Sequence, residues 1–233
     1  MMSESYLERR GEIETYFDRT AAHTWSRLTS DAPVSGIRAT VRAGRDRMRA
    51  TLLSFLPNDL RGCRLLDAGC GTGALAVEAA KRGADVTAVD ISPTLIGIAR
   101  ERLPETLGHG RITFLAGDMV DKKLGRFDHI VAMDSLIHYS LSDMLGMLAK
   151  LTAMSSSGVH FTYAPRTPAL AAMHFVGKAF PRSDRSPRIV PHATTSLYKG
   201  ISRAEQLADW RCGRNARVSS GFYISHAQEL KRT

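Results

Sequence analysis

The sequence predicts an α/β fold in which a doubly wound sheet of seven strands carries helices on both faces. Three observations support this: short apolar runs alternate with amphipathic segments in the middle of the chain, glycines follow the first apolar run, and acidic residues stand where the first three runs end. Such alternation is typical of right-handed crossovers and a parallel sheet. Ligands of these sheets bind at the carboxyl ends of the strands.

Five strands are expected in the middle of the chain. They begin near Cys63 (CRLLDA), Asp85 (DVTAVD), Arg111 (RITFLAGD), Phe127 (FDHIVAMDS) and Gly158 (GVHFTYAP). Helices are expected after the first strand from Ala74, after the second from Ser92, and over Leu141–Ala153. Ser92 precedes Pro93, which is the order of an N-cap and a first helical residue.

The two ends of the chain predict additions to this core. Helical spacing of apolar residues before residue 57 indicates an N-terminal helical arm or cap over residues 1–60, which leaves 61–233 for the sheet domain. Residues 165–200 are too long for a simple connection after the fifth strand and are expected to form a lid insertion. Ser202–Glu205 has the form of a capping box that would begin a helix, and two final strands are expected after it.

Composition excludes several classes of protein. The chain has 233 residues, of which 43% are hydrophobic and 24% charged, and it has three cysteines. These values argue against disorder, a collagen-like structure and a disulfide scaffold. No apolar run approaches the length of a spanning helix, and the charged start leaves no space for a secretory signal. We therefore expect a cytoplasmic protein with reduced cysteines and no metal cluster.

Positive charge is concentrated at the end of the chain. The formal net charge is +9, and the last seventy residues, from Ala164 to Thr233, contain 12 basic and 4 acidic residues. A basic surface suits nucleic acid, anionic lipid or a small molecule with carboxylates, and charge alone does not choose among them.

The segment LLDAGCGTGA contains the clearest chemical signal. Asp67 ends the first predicted strand, and Gly69, Gly71 and Gly73 follow at alternate positions. Glycines allow a tight turn, and the next helix directs free N–H groups towards a ligand. Asp90 ends the second strand, where a carboxylate can accept hydrogen bonds from both ribose hydroxyls. The pattern predicts a nucleoside cofactor.

Asp67 narrows the choice of nucleoside. The glycine spacing also satisfies the looser dinucleotide fingerprint. A carboxylate two residues before Gly69 would repel a pyrophosphate, whereas it would attract a cationic amino group. We therefore favour a ligand that carries an ammonium group.

At these positions the sequence resembles the class I S-adenosylmethionine (SAM) methyltransferases. The resemblance implies a Rossmann-like seven-stranded sheet that binds SAM. In that family the first acid and the glycine loop surround the methionyl part, the second acid binds the ribose, and an acid after the third strand contacts the adenine amino group. The cofactor residues that the resemblance implies are Asp67, Gly69, Gly71, Gly73, Asp90, Ile91, Asp118, Met119, Met133 and Asp134.

His138 is the candidate catalytic residue. It follows the fourth strand, so it would lie near the transferred methyl group, together with Tyr139. Methyl transfer from a sulfonium is an in-line displacement, in which the protein aligns the nucleophile and excludes water. An imidazole there can remove a proton, orient an oxygen nucleophile or contact a metal in the substrate.

Four other segments resemble one particular family within this class. TYFDRTAAHTWSRL from Thr15, LIHY from Leu136, FPRSDRSP from Phe180 and SSGFYISHAQELKR from Ser219 are similar to the magnesium-protoporphyrin IX O-methyltransferases of bacteriochlorophyll synthesis. This resemblance covers nearly the whole chain. It implies methylation of one propionate of Mg-protoporphyrin IX to the monomethyl ester, with release of S-adenosylhomocysteine (SAH). It also implies contact with the large subunit of magnesium chelatase and loose association with the inner or photosynthetic membrane.

Substrate-binding residues are expected in the additions to the core. Arginine forks bind carboxylates, so Arg182 or Arg185 of the lid is expected to hold the second propionate. Tyr16, Phe17 and Trp25 are expected either to cover the macrocycle or to pack against the helix predicted over residues 37–56, and Tyr139 is expected to contact the macrocycle beside His138.

Three alternatives stay open at this point. An O-methyltransferase of another apolar acid or phenol, such as a quinone precursor, would use His138 as a general base and show a pH-dependent rate. An RNA methyltransferase would use the basic C-terminal zone and show a steep salt dependence, although we see no recognised RNA module and expect no nucleic-acid partner. A scaffold at the membrane surface would bind SAM without turnover.

Overall fold

The structure is a computed structural model that describes residues 3–20, 36–166 and 188–233. Seven strands form one mixed sheet with helices on both faces. The helices are α1 Glu4–Thr15, α2 Gly36–Ser54, α3 Ala74–Lys81, α4 Pro93–Glu101, α5 Leu141–Met154 and α6 Thr194–Arg203. The strands are β1 Arg64–Ala68, β2 Asp85–Asp90, β3 Arg111–Ala116, β4 Phe127–Ala132, β5 Ser155–Tyr163, β6 Trp210–Ser220 and β7 Tyr223–Arg232.

Short helical turns complete the described chain. A π-helical turn, Tyr16–Thr20, continues α1, and 3-10 turns are formed by Lys122–Leu124, Leu136–His138 and Glu205–Leu207. In the described ranges no helix is long and apolar enough to cross a membrane.

The strand order explains where a ligand can bind. The sheet runs β3-β2-β1-β4-β5-β7-β6, with β1 to β5 parallel and β7 antiparallel to both of its neighbours. The chain builds outwards from β1 to β3 and then returns to the other side of β1 with β4. This reversal makes the carboxyl ends of β1 and β4 the switch point, where a crevice opens between the connecting loops. The predicted fold class is therefore confirmed.

Two apolar layers hold the helices on the sheet. Adjacent residues of β1 point to opposite faces: Leu65 packs with α2, α3 and α4, and Leu66 packs with α1, α5 and α6. Both side chains are fully buried. Because both faces of these strands are covered, the last three residues of β1, β2 and β4 are buried at consecutive positions.

The predicted start of α4 is confirmed. Ser92 caps the helix by accepting a hydrogen bond from the Leu95 backbone N–H at 3.2 Å, and Pro93 occupies the first turn. An N-cap serine satisfies one of the unpaired N–H groups at a helix start.

Expectations for residues 194–205 were wrong in two respects. Part of the range expected to form the lid is helix α6, which packs in the core through Leu197 and Ile201. Ser202 does not begin a helix, because it lies in the last turn of α6 and its hydroxyl donates to the Lys199 carbonyl at 3.2 Å. The apolar pair one turn apart places the helix before Ser202 rather than after it.

Gly73 is a packing position, and we expect Gly73→Ala to lower the free energy of unfolding by roughly 1–3 kcal/mol. Its φ is +80°, and an added Cβ would lie 2.9 Å from the Phe114 ring. Gly97→Ala, in the middle of α4 with no heavy atom within 4 Å of an added Cβ, should instead stabilise the protein by about 0.5–1 kcal/mol. Urea unfolding of both variants checks this, and equal effects would contradict the packing role.

Candidate active site

A cavity of about 400 Å³ opens at the carboxyl edge of the sheet, between the loops after β1 to β4 and the helices α1 and α2. Its volume lies in the range of small-molecule sites. The structure brings most of the predicted site residues to its wall. These are Asp67, Gly69, Gly71, Asp90, Ile91, Asp118, Met119, Met133, Asp134, His138 and Tyr139.

The remaining predicted site residues lie elsewhere. Gly73 and Tyr16 are outside the described lining of the cavity, and Gly73 packs on Phe114 instead. Trp25, Arg182 and Arg185 fall outside the described residues.

Asp67 is a buried carboxylate with an unsatisfied oxygen. Its side chain is 1% exposed, and in the described part of the chain its Oδ2 has no hydrogen-bond partner. Burial, and then the charge of Asp90, raise the pKa of Asp67 to about 7. A buried acceptor without a partner is costly. A ligand that carries an ammonium group into the cavity would supply the missing donor and the opposite charge.

Asp90 supports the glycine loop from the end of β2. Its Oδ2 accepts a hydrogen bond from the Gly71 N–H at 2.8 Å, and its Oδ1 accepts from the Ser92 N–H at 3.0 Å. Gly71 has a φ of +56°, which other residues rarely adopt, so glycine gives this loop its close path past the carboxylate. The carboxylate thus shapes the loop and also faces the cavity.

Asp118 is engaged by the N-terminal helix. The Tyr6 hydroxyl donates to its Oδ1 at 2.9 Å, and Arg10 pairs with its Oδ2 at 3.2 Å. Tyr6 also stacks on Tyr139 with ring centroids 5.3 Å apart. Helix α1 therefore closes this end of the cavity.

Asp134 has several protein partners. Arg45 pairs with its Oδ2 at 2.6 Å, and Tyr223 donates to its Oδ1 at 3.0 Å. Thr162 donates to the same Oδ1 at 3.2 Å and accepts from the Asp134 backbone N–H at 2.7 Å. This network stabilises a φ of +55° at Asp134, a conformation that non-glycine residues seldom adopt. The carboxylate joins α2 and β7 to the end of β4.

His138 ends the 3-10 turn after β4 and is 5% exposed. Its Nδ1 lies 3.4 Å from the Arg188 carbonyl oxygen, and its ring meets Phe17 edge-on at 6.3 Å. Neighbouring bonds fix the turn, since Ile137 accepts from the Val190 N–H at 2.8 Å. The imidazole is therefore held in place beside an aromatic cover. The other buried strand histidine, His160, has its pKa lowered by burial to about 3 and lies outside the described lining of the cavity.

Sequence reasoning missed the polar residues that the helices contribute to the cavity. They include Tyr6 and Arg10 of α1, Arg42, Arg45, Asp46 and Arg49 of α2, and Glu78 of α3. The arginines recur at helical spacing, which was a readable signal. The partners of Tyr6 and Arg10 lie more than a hundred residues away, so no local pattern identifies them.

Two family models match the chain: "Magnesium-protoporphyrin IX methyltransferase C-terminus" over residues 132–232 and "Methyltransferase domain" over residues 65–158. A magnesium-protoporphyrin O-methyltransferase of Rhodobacter capsulatus is 51% identical over 99% of this chain and 100% of the relative. The chain belongs to the magnesium-protoporphyrin O-methyltransferase family. It is a SAM-dependent methyltransferase, and the unsatisfied oxygen of Asp67 fits that cofactor.

A solved structure agrees with this membership, and an O-methyltransferase of another pathway is less similar. The crystal structure of magnesium protoporphyrin IX methyltransferase from Synechocystis with bound SAH matches with a TM-score of 0.81 and 27% identity, over 96% of this chain and 100% of that chain. A ubiquinone biosynthesis O-methyltransferase of Xanthomonas oryzae is 28% identical over 84% of this chain and 78% of the relative.

SAM affinity should rise with pH through about 7, because the pKa of Asp67 is raised to about 7 in the ligand-free cavity. Below this pH the carboxyl is protonated and loses its attraction for the ammonium group, so affinity should fall by up to about tenfold per pH unit. Above it the attraction is fully present. Calorimetric titration with SAH across this range checks the profile. Asp67→Asn should bind weakly with a flatter profile, and a flat wild-type profile would contradict the assignment.

Proposed function

We propose that this enzyme transfers the methyl group of SAM to one propionate carboxylate of Mg-protoporphyrin IX, giving the monomethyl ester and SAH. The observation that carries the proposal is the 51% identity, over nearly the whole chain, to a relative named magnesium-protoporphyrin O-methyltransferase. The cavity supports it, because a set of acids at the strand ends and an imidazole under an aromatic cover line the same space.

The reaction needs alignment of the carboxylate with the methyl group, and exclusion of water, more than it needs a general base. A propionate is already ionised at pH 7, so its oxygen is a nucleophile without loss of a proton. Bound SAM supplies a sulfonium methyl. The new O–CH3 bond forms as the S–CH3 bond breaks, its electron pair stays on sulfur, and both charges disappear. A site without water favours a step that cancels charge, because the carboxylate there lacks the hydration shell that would stabilise it before the reaction.

The acids at the strand ends orient the cofactor in this proposal. Asp67 accepts from the ammonium group and Asp90 from the ribose hydroxyls. Asp118 and Met119 border the adenine, where Asp118 would exchange its bond with Tyr6 for one with the adenine amino group. This exchange gives α1 the role of a cover that is linked to cofactor binding.

His138 and the aromatic residues orient the substrate in this proposal. The imidazole donates a hydrogen bond to the reacting propionate or approaches the magnesium of the substrate, and it takes no proton from the nucleophile. Phe17, which packs against His138, excludes water from the reacting atoms. Tyr139 lies in the wall behind them, because it is buried and stacked on Tyr6.

Contact with the large subunit of magnesium chelatase and peripheral contact with the inner or photosynthetic membrane are further parts of the proposal, as is a cytoplasmic location. The basic last seventy residues support a docking role, and Arg211 and Arg217 are exposed on the edge strand β6. Co-sedimentation of the enzyme with liposomes, with and without the purified chelatase subunit, tests these contacts separately.

A turnover assay with matched porphyrins tests the reaction. Mg-protoporphyrin IX, zinc protoporphyrin and metal-free protoporphyrin are incubated with SAM, and the mass of each product is followed. A catechol serves as the control, because the ubiquinone-type relatives point to the alternative substrate class. We expect one added methyl, fastest with the magnesium form. Methylation of the catechol but of no porphyrin would contradict the proposal and show that the substrates are phenols.

A further inference from the structure

We propose that one corner of the molecule, where the start of α2 meets the turn between β6 and β7, docks on the surface of an anionic lipid bilayer. This docking corner consists of Ile37, Arg38, Thr40, Gly221 and Phe222. The inference rests on the membrane contact in the proposed function and gives that contact a location. Its test measures binding and needs no methyl transfer.

Two large apolar side chains of the docking corner face solvent. Ile37 is 56% exposed and Phe222 is 51% exposed. A single exposed apolar residue is ordinary, but these two lie at the same corner. An added Cβ on Gly221, the residue before Phe222, would lie 2.5 Å from the Thr40 hydroxyl oxygen. Thr40 follows Ile37 by three residues in α2, so both apolar side chains flank one contact between helix and hairpin.

The turn between β6 and β7 holds Phe222 away from the core. Ser220 pairs with Tyr223, so Gly221 and Phe222 alone form the turn, and the φ of Gly221 is +55°. A two-residue turn with glycine in first place is a tight hairpin connection. Such an apex is ordinarily occupied by small or polar residues. An exposed phenylalanine there favours an apolar partner outside the chain.

The docking corner lies at the same edge of the sheet as the cavity. Tyr163, the last residue of β5, pairs with His226 of the antiparallel β7, so β7 begins beyond the carboxyl end of β5. Tyr223, the first residue of β7, donates to Asp134 in the cavity wall at 3.0 Å. An enzyme docked through this corner would therefore hold its cavity close to the bilayer, where an apolar macrocycle accumulates.

Two contacts fix the docking corner to the rest of the fold. Gly44 lets α2 approach β7, because an added Cβ would lie 2.6 Å from the Tyr223 ring. Arg47 of α2 donates to the Ser219 carbonyl of β6 at 2.9 Å. Helix and hairpin therefore form one rigid unit, and docking would orient the whole molecule.

The charge around the docking corner complements anionic lipid. Residues 36–45 and 217–226 contain four arginines and no Asp or Glu. Arg38 is exposed, and within the described residues it pairs with no carboxylate. Arginine near an anionic leaflet strengthens binding, and exposed Phe or Ile beside basic residues is typical of interfacial anchors. The occupant that fits both the apolar pair and the charge is an anionic lipid surface.

Co-sedimentation with vesicles tests the apolar pair. The full-length enzyme is mixed with vesicles of phosphatidylglycerol and phosphatidylcholine in equal parts. We expect the wild type to bind, and Ile37→Ser, Phe222→Ser to lower its partition coefficient by roughly tenfold or more. The control Leu103→Ser, Leu115→Ser also removes two exposed apolar side chains, and it should keep wild-type binding.

A charge reversal tests the basic part of the docking corner. Arg38→Glu should weaken binding to the mixed vesicles by roughly tenfold. The matched control is Arg126→Glu, because Arg126 is exposed and precedes β4 at the opposite edge of the sheet. It should keep wild-type binding. High salt should reduce the difference between the wild type and Arg38→Glu, since salt screens the attraction.

Two further measurements keep the test independent of folding. SAH affinity within about twofold of wild type shows that a variant is folded. Phe222→Trp keeps an interfacial aromatic group and should bind the vesicles at least as well as the wild type. Lipids with brominated acyl chains should quench the added indole fluorescence, and unquenched fluorescence in bound enzyme would contradict insertion of the apex.

Four results would overturn the inference. These are no vesicle binding by the wild type, unchanged vesicle binding in Ile37→Ser, Phe222→Ser, equal losses in its control, and a loss of binding to the chelatase subunit alone, which would assign the corner to a protein. Failure of the proposed reaction is recognised separately. If no porphyrin is methylated while the vesicle results hold, the docking corner stands and the substrate assignment fails.

Discussion

Replacing His138 by Ala should lower kcat by roughly a hundredfold or more while SAH affinity stays within about twofold of wild type. The imidazole is buried at the end of a fixed turn and contacts Phe17, so its removal takes away a positioned donor beside the reacting carboxylate. Asp67, Asp90 and Asp118 belong to other strand ends and keep their bonds. Stopped assays with Mg-protoporphyrin IX and calorimetry with SAH measure the two effects.

Two further variants separate a chemical role of His138 from a structural one. His138→Gln keeps a hydrogen-bonding group near the Nε2 position and should recover part of the lost turnover. His109, an exposed residue in a loop outside the described lining of the cavity, gives the control, and His109→Ala should keep wild-type turnover. Unchanged turnover in His138→Ala would remove this residue from the mechanism, and a rate that follows imidazole ionisation would favour a general base instead.

Replacing Asp90 by Ala should weaken SAH binding by roughly a hundredfold. Two losses combine in this variant: the ribose hydroxyls lose their acceptor, and the Gly71 N–H loses a bond of 2.8 Å that holds the glycine loop. Asp90→Asn keeps one carbonyl oxygen and should lose less, about tenfold. Calorimetric titration with SAH measures the dissociation constant of each variant.

Asp85 provides a control on the same strand. It lies at the other end of β2, pairs with Arg111, and is outside the described lining of the cavity. Asp85→Asn should therefore leave SAH affinity unchanged. Equal SAH affinity in Asp90→Ala and the wild type would contradict the assignment of Asp90 to the ribose.

The parts of the fold and site that depend on local patterns were predictable from the sequence. Strand β2 was expected over Asp85–Asp90, where the structure has it, because this short segment is rich in β-branched residues and lies between two helical segments. Asp67, Asp90 and Asp118 stand at or just beyond the carboxyl ends of three consecutive strands, and a parallel sheet brings such ends to one edge.

Contacts between distant segments were not predictable. The pairing of Asp118 with Tyr6 and Arg10 depends on how α1 lies across the sheet, which no local spacing encodes. The arginines of α2 show helical spacing, but the direction of their face is set by the contact of Gly44 with Tyr223, far along the chain. Helix α6 was not predicted within the range expected for the lid, although its buried residues Leu197 and Ile201 have helical spacing.

The most direct test of the central claim, methyl transfer from SAM to an ionised propionate oxygen, uses two isotopes at once. Mg-protoporphyrin IX with both propionates labelled by ¹⁸O is incubated with SAM that carries a CD3 group, and the ester is analysed by mass spectrometry. We predict that the product gains one CD3 and retains every ¹⁸O atom. Loss of one ¹⁸O would show attack at an activated carboxyl carbon and contradict the account, as would a porphyrin without CD3.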